Sequence, residues 1–208
     1  MVTITGTSGI LSHTATIALT VTAAHRVGSR PVSLASTSNV TAIVTDGSKF
    51  APIGLDGGLN GIGTAYSASL LGSQQTINGT PSNFGPANAP DAVSGKTVPL
   101  PAGQFSSLKM LATGVTGGQA AQSFIVSYTD GTTSTFKQTL SDWFAPQSYS
   151  GESKAMTMAY RDTSGGLRDN RTFLLYGYSF TLNSAKKVAS ITLPNNRNVV
   201  VLAISLAP

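Results

Sequence analysis

The sequence predicts an all-β protein whose main body is an antiparallel two-sheet β-sandwich, preceded by a β-hairpin. Only 10% of the 208 residues are charged, whereas Gly, Ser, Thr and Asn are abundant, and this composition suits strands and turns better than helices. Short segments of alternating apolar and polar residues also follow one another along the chain. Turn signals separate them, and no segment has a helical period.

Length and composition exclude several classes of protein. At 208 residues, the chain can bury a full core as one large all-β domain. Its net charge of +5 comes from 13 scattered Lys and Arg residues against 8 acids, without the concentrated basic stripe that nucleic-acid binding requires. The chain has no cysteine and no apolar segment long enough to span a membrane. We therefore expect no disulfide, no nucleic-acid partner and no membrane span.

The N-terminal segment predicts a separate β-hairpin. Residues 2–5 (VTIT) and 14–22 (TATIALTVT) alternate as strands do, and residues 6–13 would connect them. The stretch TGTSGILSHTATIALTVTAA is similar to the last two strands of the bacterial Ig-like domains that separate modules of secreted enzymes. This similarity implies that residues 1–24 are the end of such a spacer and that 25–31 is a linker. The alternative is that both strands join the sheet of the main domain, because a hairpin with free edges should pack somewhere.

Two short strands and two loops are predicted in the next part of the chain. The strands are PVSL (31–34) and VTAIV (40–44). The glycine-rich stretch 46–63 has neither helical nor sheet periodicity, so it is predicted to be a loop. Three prolines in 79–96 exclude a continuous strand there. Loops as long as 46–63 are usually functional or poorly ordered.

The segment 122–144 (QSFIVSYTDGTTSTFKQTLSDWF) predicts a second hairpin together with its register. A three-residue loop that ends at Gly131, in the left-handed conformation, pairs Phe124 with Phe136 and gathers the apolar residues on one face. A two-residue turn would instead mix core and solvent positions, so the three-residue loop is the better interpretation.

Alternation predicts the other strands, which are residues 97–100, 107–115, 171–182, 187–193 and 198–206. Met156, Met158 and Tyr160 form a further short alternating run. In 171–182, Gly177 lies opposite the apolar face, where a neighbour could approach closely. Four residues of the last strand are predicted to face the core together: Val200, Leu202, Ile204 and Leu206.

Three segments carry a resemblance to a known class of module. They are VPLPAGQFSSLKMLATGV, SFIVSYTDGTTSTFKQTLSDWF and FLLYGYSFTLNSAKKVASITLPNNRNVVVLAISLAP. They resemble the jelly-roll, galactose-binding-like β-sandwich modules appended to secreted bacterial glycoside hydrolases and some secreted peptidases. The resemblance covers most of residues 32–208. It implies a jelly roll that binds carbohydrate through loops at one end or on a sheet face, a covalently linked catalytic domain, and a structural calcium.

The sequence does not show the sets of side chains that the common hydrolase mechanisms require. A Ser/His/acid hydrolase requires an imidazole, and so does a histidine metal centre, but His13 and His25 lie outside the predicted sandwich. A glycosidase requires two carboxylates that face one cleft. Glu152 is the only glutamate, and no spacing requires Asp142 or Asp162 to be its partner. We therefore expect that the chain is not an enzyme; a small hydrolase would need Glu152 and a second carboxylate to converge.

Structural Ca²⁺ is the one cofactor that we predict. The stretch DGGLNG at 56–61 lacks the alternating acids and terminal glutamate of an EF-hand. The Asp-Gly pairs are more economically explained as turn formers. Backbone carbonyls together with Asp46, Asp56 or Asp162 would nevertheless suffice as oxygen ligands, and Asp46 and Asp56 are the predicted ones.

The densest set of candidate ligand-binding side chains lies between residues 142 and 171. A sugar site pairs an aromatic platform for the C–H face of the ring with groups that bond its hydroxyls. The predicted site residues are Asp142, Trp143, Tyr149, Glu152, Tyr160, Arg161 and Arg171. Trp143 could instead plug the end of the core, Tyr160 could bury its ring, and the arginines could be ordinary surface charges.

Together with these side chains, the resemblance implies a non-catalytic carbohydrate-binding module of a secreted bacterial polysaccharide-degrading enzyme. The module would hold that enzyme on a polysaccharide or oligosaccharide and so raise its effective concentration there. Because Met1 leads directly into VTITG without a signal peptide, we expect the chain to lie within a longer exported protein. The alternative is an extracellular structural or assembly module that binds no sugar and self-associates through its N-terminal strands.

Overall fold

Four stretches of the chain are described by the computed structural model: residues 2–17, 28–58, 61–77 and 79–208. The end of the predicted strand 14–22 lies outside them, and so do His25 and the first part of the predicted linker 25–31. The domain boundaries drawn at these positions therefore stay predictions.

The N-terminal hairpin forms a two-stranded antiparallel sheet of its own. β1 (Val2–Ser8) pairs with β2 (Leu11–Ile17), and residues 4–14 are all exposed. The strands are longer than predicted, and the connection is a two-residue turn instead of a loop over 6–13. Gly9 has a φ of 61° at the first turn position, a conformation that glycine adopts without steric cost and that lets so short a turn close.

Two antiparallel sheets form the sandwich. The first contains β8 (Thr97–Pro99), β10 (Gln119–Tyr128), β11 (Thr133–Leu140) and β16 (Val188–Thr192). The second contains β3 (Arg30–Val32), β9 (Ser107–Gly114), β12 (Glu152–Met158), β15 (Phe173–Thr181) and β17 (Val199–Ala207). Their strand orders are β11-β10-β16-β8 and β12-β15-β9-β17-β3. The predicted antiparallel β-sandwich is confirmed.

A third group of short elements covers the outer face of the second sheet. It comprises β4 (Ile43–Val44), β5 (Thr64–Ser67), α1 (Ala68–Leu71), β6 (Gln74–Ile77), β7 (Thr80–Asn83), β13 (Arg161–Thr163) and β14 (Arg168–Asp169). The sequence patterns missed most of these elements. β7 falls inside the irregular stretch 79–96, and it accommodates Pro81 because its only strand partner among the described residues is β6.

The predicted register of the second hairpin is confirmed. Phe124 pairs with Phe136, the backbone N–H of Tyr128 donates to the carbonyl of Thr132 at 2.9 Å, and Gly131 has a φ of 84°. Phe124 is fully buried between the two sheets, whereas Phe136 lies at the margin of this core and is partly buried. The three-residue loop that ends at Gly131 therefore determines which face of this hairpin is buried.

The second sheet is buried on both faces, so the described part of the chain has two hydrophobic cores. The second core contains residues of the sheet together with side chains from the covering elements, among them Leu55, Tyr66, Leu71, Trp143, Phe173 and Leu175. In β17 the register shifts at Leu202, so that Val200 and Leu202 face this second core while Ile204 and Leu206 face the first. The prediction that all four share one face is wrong, because a β-bulge changes the parity of the strand.

Candidate functional site

Asp142 is the second residue of the loop that follows β11, and it is buried. Its carboxylate accepts hydrogen bonds from the backbone N–H groups of Gly117 at 2.7 Å, Phe144 at 2.8 Å and Ala145 at 2.9 Å. The hydroxyl of Tyr176 donates to the carbonyl of Asp142 at 3.0 Å. Asp142 therefore shapes the loop, and its carboxylate is used within the protein.

Trp143 lies in the second core and is only 2% exposed. Its ring meets Tyr66 edge-on at 5.1 Å and Phe173 at 4.9 Å, measured between ring centroids. The guanidinium of Arg161 lies 4.9 Å from the centroid of the tryptophan ring. Because neither face is free for a sugar, the assignment of Trp143 as a ligand platform is corrected to that of a core plug.

Glu152, the first residue of β12, anchors the loop that follows β11 by accepting hydrogen bonds from Ser141 and Tyr149. One carboxylate oxygen accepts from the Ser141 hydroxyl at 2.5 Å and the Tyr149 backbone N–H at 2.8 Å. The other accepts from the Ser141 backbone N–H at 3.1 Å and the Tyr178 hydroxyl at 3.2 Å. Burial, followed by the charge of Glu152, raises the pKa of Tyr178 well above its ordinary value of 10.0, at which this hydroxyl is already a donor at neutral pH. A carboxylate has about four acceptor positions, so Glu152 has none to spare.

A cleft of about 180 Å³ opens beside Glu152, and we call it the Tyr149 cleft. It is lined by Ser148, Tyr149, Glu152, Lys154 and Tyr176. Tyr149 is half-buried and lies against Gly118, where an added Cβ would come within 2.9 Å of the tyrosine hydroxyl. Lys154 is exposed. Among the described residues, neither the Tyr149 hydroxyl nor the Lys154 ammonium bonds another protein group.

Sequence reasoning missed Lys154 as a functional candidate, although the pattern contained a signal for it. Lys154 stands two residues after Glu152 in a strand, and residues two apart in a strand share a face. The register agrees, since Glu152 pairs with Tyr178 and Lys154 with Tyr176 on the neighbouring strand.

Most of the other predicted site residues belong to a separate group, which we call the arginine network. It consists of Asp46, Asp56, Tyr160, Arg161, Arg168, Asp169 and Arg171. In its first half, Asp46 accepts hydrogen bonds from Ser67 at 2.5 Å, Tyr160 at 2.6 Å and Arg168 at 2.9 Å. The Arg168 guanidinium also covers the Tyr160 ring at 4.3 Å. Burial alone would raise the pKa of Asp46, but these hydrogen bonds and the arginine charge lower it.

The second half of the network is centred on Asp169. Arg161 donates to its carboxylate at 2.9 Å and Arg171 at 2.7 Å, and the bonds from Arg171 chiefly lower the pKa of Asp169. The Arg171 guanidinium lies 4.4 Å from the Phe144 ring centroid, and Arg161 lies 3.9 Å from a carboxylate oxygen of Asp56. Tyr160, Arg161 and Arg171 therefore already have partners inside the protein.

Asp46 and Asp56 do not fit the predicted calcium site well. An arginine bonds Asp46, and Asp56 accepts hydrogen bonds from Thr64 through both the backbone N–H and the hydroxyl. In the part of the chain that the structure describes, no group of three or more His, Asp or Glu side chains could hold a metal ion. Asp162 is fully buried beside Asp46, and one of its oxygens lacks a hydrogen-bond partner among the described residues. Burial and the charge of Asp46 raise the pKa of Asp162.

Another cavity, of about 400 Å³, lies away from all of these residues. Its walls are largely apolar, with Leu34, Phe84 and Pro86 among them, and Asp91 lines it as well. Both carboxylate oxygens of Asp91 accept backbone N–H groups, from Ala42 and Ile43 at 2.9 Å. Burial raises the pKa of Asp91 to about 7. Because its walls are largely apolar, this cavity suits a sugar less well than the Tyr149 cleft, where a tyrosine ring lies beside a lysine ammonium.

No helix in the described parts of the chain is long and apolar enough to cross a membrane.

Comparison with known proteins identifies the fold family. No curated protein matches the chain. The family model described as "AziU2-like beta-sandwich domain" matches residues 28–208, which is the sandwich with its covering elements. The chain belongs to this family of AziU2-like beta-sandwich domains.

Proposed function

We propose that the chain is a non-catalytic carbohydrate-binding module that uses the Tyr149 cleft. One observation carries the proposal. Tyr149 and Lys154 line the same cleft, and their hydroxyl and ammonium groups bond no other protein group among the described residues. The other predicted site residues already bond within the protein.

The chemistry of the cleft suits a sugar ring. The half-buried Tyr149 offers part of an aromatic ring to the apolar C–H face of a sugar. Lys154 and the hydroxyls of Tyr149 and Ser148 can bond the hydroxyl groups of the sugar. Glu152 is a positioning residue in this account, because it holds the backbone of Tyr149 while its oxygens are taken. A shallow polar cleft immobilises few groups, so we expect modest affinity at a single site.

The proposed function includes the location and the linked enzyme that are expected from the sequence. The module would be secreted by a bacterium as part of a polysaccharide-degrading enzyme and would keep the linked catalytic domain near its substrate. Structural calcium stays a prediction, so binding should be measured both with calcium and with a chelator.

The test is retention on a panel of polysaccharides. Affinity electrophoresis through gels that contain xylan, β-glucan, galactan, pectin or soluble chitin derivatives should show retardation on at least one of them. Tyr149→Ala should abolish most of this retardation and leave the melting temperature unchanged, because the ring lies outside both cores. Lys137→Gln, which changes an exposed lysine on β11, is the matched surface control. Absence of retardation on every polysaccharide would contradict the proposal.

A second candidate function is assembly through the N-terminal hairpin. It is favoured by the exposure of residues 4–14, with Ile4 57% and Leu11 65% exposed. An isolated two-stranded hairpin is only marginally stable in water, so a partner strand would stabilise it. Sedimentation of the full chain should then reveal a concentration-dependent dimer that Ile4→Lys with Leu11→Lys dissociates. A monomer at all concentrations would exclude self-assembly.

A further inference from the structure

A second cleft shares Glu152 with the Tyr149 cleft and contains no other predicted site residue. We call it the Ser179 cleft; its volume is about 150 Å³, and its lining includes Ile77, Ser153, Gly177 and Ser179. Gly177 keeps it open at its base. A Cβ at this position would lie 3.0 Å from the Ser153 hydroxyl and 3.2 Å from a methyl carbon of Ile77.

The two clefts lie on opposite faces of one edge strand. β12 is the outermost strand of its sheet, and no strand pairs with its other edge among the described residues. Lys154 pairs with Tyr176, which faces the first core, whereas Ser153 pairs with Gly177 on the opposite face. Glu152, the first residue of β12, lines both clefts.

Both clefts retain capacity to bond a polyhydroxylated ligand. In the Ser179 cleft, the Ser179 hydroxyl accepts from Lys109 at 2.8 Å and still has its own proton to donate. The Ser153 hydroxyl donates to the Gly177 carbonyl at 3.2 Å and keeps its lone pairs. Glu152, which stands between the clefts, has no acceptor position left for the ligand.

Each cleft alone is smaller than the ~300–1,000 Å³ typical of ligand pockets. We propose that the two clefts are adjoining subsites for consecutive sugar residues of one glycan chain, which crosses the edge of β12 at Glu152. This inference rests on the proposed function. Its ligand is therefore an oligosaccharide of at least two residues, and a monosaccharide occupies only one of the two subsites.

The test compares ligands of increasing length on the full chain by titration calorimetry or NMR. The probes are glucose, cellobiose and cellotriose; xylose, xylobiose and xylotriose; and galactose, galactobiose and galactotriose. In a series that binds, affinity should rise at least about tenfold from the monosaccharide to the disaccharide, since a second subsite adds contacts without a second loss of translational freedom.

A substitution that fills only the second cleft makes the test specific. Ser179→Phe should reduce the affinity for the disaccharide to that for the monosaccharide and leave the monosaccharide unaffected. Thr181→Phe is the matched control, because Thr181 is also exposed and lies two residues further along β15, outside the cleft. Equal affinity for monosaccharide and disaccharide would overturn the two-subsite inference alone. No binding in any series or to any polysaccharide would overturn it together with the proposed function.

Discussion

The Tyr149 cleft and the arginine network contain the same kinds of side chain and differ in what those side chains already bind. In the network, Arg161, Arg168 and Arg171 each donate to an aspartate within the protein. In the cleft, Lys154 and the Tyr149 hydroxyl bond no other group among the described residues. Aromatic and charged residues close together in sequence therefore do not by themselves identify a binding site.

The two regions also differ in what they contribute to the fold. The network joins β13 and β14 to the loop after β4, and Arg161 lies over Trp143 and Phe173 in the second core. The cleft instead lies at the edge of the second sheet, where Glu152 and the buried Tyr176 stabilise the fold while Tyr149 and Lys154 belong to neither core. Substitutions in the network should therefore change stability, whereas those of Tyr149 and Lys154 in the cleft should change ligand binding.

The largest effect is expected for Trp143→Ala. Removing a buried tryptophan from the second core should lower the free energy of unfolding by about 3–5 kcal/mol, measured by urea denaturation. Phe144→Ala is the control, because Phe144 is 43% exposed and should cost far less. If both substitutions cost the same small amount, Trp143 is not the core plug described above.

Glu152→Gln should have the next largest effect on stability. It tests whether Glu152, unlike its cleft neighbour Lys154, stabilises the fold. The new amide places an NH₂ group opposite donors from Ser141 or Tyr149, so the free energy of unfolding should fall by about 1–3 kcal/mol. Lys154→Gln, two residues away and exposed, should change stability by less than about 0.5 kcal/mol. Equal stability of the two variants would show that Glu152 does not fasten the loop.

Asp162→Asn should have a smaller effect of opposite sign. Burial and the charge of Asp46 raise the pKa of Asp162 above its ordinary value of 3.8. The folded protein then holds a proton that the unfolded chain releases, so this group lowers stability as pH rises from about 4 through the raised pKa. The variant should melt at a higher temperature than the parent at pH 7, and the difference should shrink toward pH 4. A lower melting temperature at pH 7 would contradict this account of Asp162.

Gly118→Ala should have the smallest effect on stability and should act mainly on Tyr149, since the other side chain that the new Cβ approaches, Gln147, lies 3.1 Å away. The added Cβ would come within 2.9 Å of the Tyr149 hydroxyl, which can move because it is the far end of a side chain. We expect a change in the free energy of unfolding of less than about 0.5 kcal/mol and several-fold weaker retention on the polysaccharide. Unchanged retention would mean that the position of Tyr149 does not matter for binding.

The sequence predicted the elements that local chemistry determines. The loop at Gly131 set the pairing of Phe124 with Phe136, and the alternation of 171–182 identified the face that includes Tyr178. β5, α1 and β6 were missed because they are short and the second core, which they help to cover, draws on distant segments. The bulge at Leu202 was missed because a continuous apolar run does not show where a strand changes parity.

The candidate site was predicted only in part, for a related reason. Tyr149 and Glu152 were identified by residue type and do line one cleft. The sequence could not tell that Arg161 and Arg171 would both bond Asp169, because pairing depends on how β13 and β14 are placed. Whether Trp143 faces outward was equally open, since its burial depends on Tyr66 and Phe173 from other segments.

The most direct test of the central claim compares Tyr149→Ala with Tyr160→Ala on the polysaccharide that retains the parent chain. The account predicts that Tyr149→Ala loses retention at an unchanged melting temperature. Tyr160→Ala should keep retention but melt at a lower temperature, because it removes the 2.6 Å hydrogen bond to Asp46 and the ring beneath Arg168. Loss of retention in Tyr160→Ala, with full retention in Tyr149→Ala, would contradict the assignment of the site to the Tyr149 cleft.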